Sequence, residues 1–97
     1  MPQIEWDDAK NAANLVKHGL SSDEASDLFT SDTDYLEIFD EALSTDEDRF
    51  ICIGPIKRGV VLVVITEPSE GAIRIISARA ATKREREMFL WSQGGLT

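Results

Sequence analysis

The chain has 97 residues, 42% of them hydrophobic and 29% charged, with one cysteine and a formal net charge of −8. That is enough for one domain and too apolar for disorder, while its longest apolar run, Val60 to Ile65, falls far short of the roughly 20 residues of a membrane-spanning helix. The acidic balance argues against loose, non-specific nucleic-acid binding, and a lone cysteine excludes an internal disulfide.

The opening MPQIEWDDAK has neither the basic start nor the apolar stretch of a signal peptide, so a cytoplasmic protein with no membrane partner is expected. Residues 3–6, QIEW, read as a short strand, ended by Asp7 or Asp8, either of which can cap a helix by accepting from its free N–H groups. The spacing predicts a helix from about Asp8 to His18, with Ala9, Ala12, Ala13 and Val16 on one face and Lys10, Asn14 and Lys17 on another. Gly19 supplies the left-handed residue past its end, and Lys17 and His18 place positive charge at the negative end of the helix dipole. In LSSDEA, Ser21 can cap a second helix, Glu24 can reach back to it, and Leu20 can staple against Ala25. This helix runs to about Phe29, where TSDTD breaks it.

YLEIFD alternates as a strand with one mixed face, and EALSTDED is a polar loop. Three strand-like runs follow: RFICIGPI, broken by Gly54 and Pro55; VVLVVIT, after the turn KRG; and AIRIISA, after the turn EPSEG. The second is apolar on both faces and belongs in the middle of a sheet. Cys52 lies among Phe50, Ile51 and Ile53, the setting of a buried small hydrophobe rather than a reactive thiol. In the third run Arg74 projects from the opposite face to Ile73 and Ile75. Thr82 and Glu85 form a capping box for the last helix, whose exposed stripe is basic and whose Met88, Phe89 and Trp91 are placed to dock on the sheet. SQGGLT is a terminal tail. The order is strand, two helices, a four-stranded meander and a helix, an α+β fold of one domain with an antiparallel sheet and helices on one side.

Chemistry is sparse. One His and one Cys far apart make no metal site, and the acidic run SSDEASDLFTSDTD lacks the spacing and glycine of a calcium loop, so no metal or cofactor is expected. That run is either a solvated face or a docking face for a basic partner. What stands out is the basic set. Up to Asp48 there are 14 acidic residues against Lys10 and Lys17; from Arg49 onward eight basic residues face four acidic ones. Arg49, Arg58, Arg74 and Arg79 lie at or near strand ends, and Lys83, Arg84 and Arg86 open the last helix. Guanidinium forks beside a helix N-terminus can bind a phosphodiester and stabilise the charge that develops as it is cleaved. The alternative is that these arginines simply pair with the abundant carboxylates.

Four segments, IEWDDAKNAANLVKHGLSSDEA, EDRFICIG, RGVVLVVITE and IRIISARAATKRERE, make the chain resemble the BrnT toxins of type II toxin–antitoxin systems over nearly its whole length. The resemblance implies a fold similar to the RelE-like ribonuclease toxins and a metal-independent endoribonuclease that arrests translation. It also implies a BrnA-like antitoxin partner with a ribbon-helix-helix domain, with DNA bound only through that complex. Carried over by position, Arg74 and Arg79 become the expected phosphate and transition-state contacts, with Arg49 and Arg58 behind them as RNA contacts beside Lys83, Arg84 and Arg86. Lys10, Lys17, His18 and Glu85 are the candidates for proton transfer. The family often has a basic residue where Ala80 stands and a tyrosine where Phe89 stands. The competing expectation is therefore a weak or inactive relative that serves as a binding module for its antitoxin.

Overall fold

The computed structural model describes residues 3–41 and 47–94. Most of the EALSTDED loop and the last three residues of the tail lie outside the described residues. The elements are β1 (Gln3–Trp6), α1 (Asp8–His18), α2 (Ser22–Thr30), β2 (Leu36–Phe39), β3 (Arg49–Ile56), β4 (Gly59–Thr66), β5 (Ala72–Ala80) and α3 (Lys83–Ser92). The α+β order is the expected one. Strands β2 to β5 form the antiparallel meander, with β4 in the centre of the order β1-β5-β4-β3-β2. β1, for which the sequence indicated no partner, adds in parallel to the outer edge of β5, with Glu5 opposite Arg74.

Local signals account for the helix ends. Asp7 accepts from the Lys10 N–H at 2.9 Å, Ser21 from the Glu24 N–H at 3.1 Å, and Gly19 takes φ 69° past the end of α1. The Glu24 carboxylate does not complete a capping box; it pairs with Arg58 at 3.4 Å. β3 runs unbroken through Gly54 and Pro55. A Cβ on Gly54 would lie 2.7 Å from both Leu28 Cδ1 and Tyr35 Cβ, so glycine is what lets the strand pass under α2. Pro55 lies beyond Ile53, the last β3 residue paired with β2, where a missing N–H costs no ladder bond.

Two apolar layers sandwich the sheet, which corrects the expectation of helices on one side. Leu20, Ala25, Leu28 and Phe29 pack on Cys52, Val61, Val63, Ile65, Ile75 and Ala78, whereas Ala81 and Phe89 of the α3 region pack on Ile53 and Leu62 across the opposite face. The alternation of β4 feeds both layers. α3 covers only part of its face, leaving Ile38, Ile51 and Val64 half-buried beside it. Met88 and Trp91 do not dock: they are exposed, Trp91 at 62%.

The face of α1 is also reversed. Ala9, Ala12, Ala13 and Val16 point to solvent, Val16 at 89% exposure, and Asn14 is the buried residue. β1 ends opposite Ile75, so the outer edge of β5 beyond it has no strand neighbour. The Asn14 amide fills that gap: Nδ2 donates to the carbonyls of Ala78 and Leu20, both at 2.8 Å, and Oδ1 accepts from the Ala78 N–H at 3.2 Å. A polar side chain satisfies the backbone where an apolar one would strand it. Asn11 helps in the same way, accepting from the Ser22 N–H at 2.7 Å.

Candidate active site

The parallel β1–β5 pair joins the two ends of the sequence. Glu5, Trp6, Asp7 and Lys10 of the first segment and Arg74 of the last line one cavity of about 420 Å³. Asp7 fixes the first turn of α1, and so the position from which Lys10 enters. Arg74 Nη2 lies 2.9 Å and Nε 3.0 Å from Glu5 Oε1, and Nη1 lies 3.4 Å from Glu47 Oε1. Arg49, Thr66 and Arg74 occupy one cross-strand row, so Arg49 stands on the same face one strand beyond the buried Thr66.

Arg79 belongs to the other end of β5. It lies five positions after Arg74, a spacing that would put the two on opposite faces of a regular strand. A bulge intervenes: Val64 pairs with Ser77 and Ile65 with Ile75, leaving Ile76 as the extra residue. Arg74 therefore pairs with Thr66 and Arg79 with Leu62, both on the α3 face, four residues and about 13 Å apart along β4. The strands do not bring Arg74 together with Arg79 and the Lys83–Arg86 stripe. Arg74 and Arg79 mark two ends of a half-open apolar shelf.

At that second end, Arg79 forks onto Glu85 at 2.7 and 2.8 Å, and Glu85 also accepts from the Thr82 N–H at 2.8 Å. The Arg79 hydrogen bonds hold the Glu85 carboxyl down to about 2 against the opposing effect of burial, with the Thr82 N–H adding to them. The same bonds raise Arg79. A carboxylate so held stays ionised near neutrality and cannot deliver a proton, so Glu85 is an anchor for α3. Arg58 donates to the Gly19 carbonyl at 2.6 Å and pairs with Glu24, closing the end of α1. It shares a cavity of about 180 Å³ with His18 and Ala80. Lys17, Lys83, Arg84 and Arg86 are exposed, and Arg86 donates to the Ala81 carbonyl at 3.0 Å. Phe89, where the resemblance pointed to a tyrosine, is a core residue under α3.

Cys52 is fully buried, and burial, reinforced by Glu37, pushes its thiol up to about 12, which leaves no reactive thiolate. Among the described residues no cluster of three His, Cys, Asp or Glu side chains could hold a metal ion, and no helix is long and apolar enough to cross a membrane. Glu5, Trp6 and Asp7 escaped the sequence-based choice of site residues, because the strand partner that brings them to Arg74 lies 69 positions away.

The family model described as "Ribonuclease toxin, BrnT, of type II toxin-antitoxin system" matches residues 6–85. Among solved structures, the 1.1 Å crystal structure of the Brucella abortus ribonuclease toxin, BrnT, is similar, with a TM-score of 0.66 and 27% identity. The match covers 86% of this chain and 100% of that one. No curated protein matches.

Proposed function

Because the chain belongs to the family of BrnT ribonuclease toxins of type II toxin–antitoxin systems, we propose that it is an endoribonuclease whose cleavage centre is the Lys10–Arg74 cavity. The observation that carries this is the meeting of the two family segments there: an ammonium and a guanidinium line one cavity beside Trp6. The RNA 2′-OH attacks the adjacent phosphate, giving a cyclic phosphate and a free 5′-OH, without a metal ion. Arg74 holds the non-bridging oxygens and neutralises the charge that builds on phosphorus, while Lys10 faces the same group. The strand runs over the half-buried Ile38, Ile51 and Val64, with Arg49 beside the cavity and Arg79 at the far end. Arg79 and Arg58 shape the surface through Glu85 and Glu24 more than they grip phosphate. In the cytoplasm such cleavage arrests translation, and a ribbon-helix-helix, BrnA-like antitoxin blocks it and supplies the DNA contacts of the complex.

The test is the purified chain on messenger RNA with a chelator present. Cleavage is expected, and Arg74→Ala should lower it about 100-fold, the scale of losing one transition-state charge contact, with an unchanged melting temperature. Intact RNA in the presence of the folded wild type would refute the proposal. The second reading, a binding module without catalysis, draws on the exposed apolar residues Val16 and Trp91 and on the carboxylates already occupying Arg74 and Arg79. It requires tight antitoxin binding and no cleavage by any folded form.

A further inference from the structure

We propose that Glu5 is the general base of this site, the group that takes the proton of the attacking 2′-OH. The inference rests on the ribonuclease reading and deepens it. Two carboxylates line the Lys10–Arg74 cavity, Glu5 and Asp7. Asp7 is committed to the helix, its Oδ1 accepting from the Lys10 N–H at 2.9 Å. Glu5 is committed only to the arginine that would grip the phosphate, and both of the contacts it receives from Arg74 fall on Oε1. Oε2 stays outside that fork and is the atom available to a hydroxyl. Glu85 and His18 are excluded by position, since they belong to the opposite end of the sheet.

Strand geometry fixes the arrangement. Glu5 lies opposite Arg74 in the parallel ladder, so base and phosphate clamp are held by backbone pairing rather than by flexible loops. In the step, O2′ bonds to phosphorus as its proton passes to Glu5, the P–O5′ bond breaks, and O5′ takes a proton from the Lys10 ammonium. Both groups then re-equilibrate with solvent. The pairing of Glu5 with Arg74 in the free protein also orients the guanidinium before RNA arrives.

Glu47, which pairs with Arg74 at 3.4 Å but does not line the cavity, is the control. Cleavage of an RNA oligomer and binding of its uncleavable 2′-O-methyl analogue are measured for wild type, Glu5→Gln and Glu47→Gln. We expect Glu5→Gln to cleave at least about 100-fold more slowly while binding the analogue as tightly as wild type or more so. Glu47→Gln, which unmasks Arg74 without removing a carboxylate that lines the cavity, should cleave as fast as wild type or faster. If Glu5→Gln cleaves at the wild-type rate or faster, the carboxylate merely masks Arg74 and the proposal falls. A parallel loss of analogue binding would overturn it too, by making Glu5 a positioning residue. A wild type that cuts no RNA sinks the ribonuclease reading itself, a different and recognisable failure.

Discussion

The residue with the largest structural burden is Asn14. Its amide takes the place of a strand rung for Ala78 and also bonds the Leu20 carbonyl. Asn14→Leu keeps the branched shape and removes every one of these bonds. Each stranded buried group costs about 1–3 kcal/mol, so a loss of about 2–4 kcal/mol is expected, read as a lower urea midpoint. An unchanged midpoint would show that water or a shift of α1 replaces the amide. Sequence periodicity ranks helix faces by hydrophobicity, and on that basis Asn14 belongs with Lys10 and Lys17, away from the alanines. What reverses the ranking is the bare edge of β5 beyond Ile75, a property of strand lengths that no local pattern carries.

Elements were far more legible than their pairing. Caps at Ser21 and Thr82, the left-handed Gly19 and the central, doubly apolar β4 follow from neighbouring residues, and the structure has each of them. The bulge at Ile76 does not, yet it decides that Arg74 and Arg79 share a face. α3 offers a test at this scale, since Arg79 and the capping box fasten it through one carboxylate. The folded pKa of Glu85 is depressed from 4.5 to about 2. Its contribution is therefore fully present above about 4.5 and lost as pH falls through about 2. Glu85→Gln should melt below wild type at neutral pH, with the gap closing as pH drops across that window. A gap independent of pH would mean that the carboxylate charge contributes nothing to α3.

For the whole molecule, the division of charge along the chain becomes a division of ends and faces. The acidic first half supplies Glu5, Glu24 and Glu47 as partners for Arg58 and Arg74 of the second half, so these two arginines of a −8 protein are held rather than free. The family segments were plain in the sequence, but their meeting in one cavity was not, because it depends on a four-residue strand adding in parallel to β5. The central claim is that Lys10 and Arg74 act there as one site. A double-mutant cycle on RNA cleavage tests it most directly, with Lys10→Ala, Arg74→Ala and the pair compared under single-turnover conditions. Groups that serve one transition state are non-additive, so the double variant should be about as slow as the slower single variant. Fully additive losses, or a Lys10→Ala variant as fast as wild type, would contradict it.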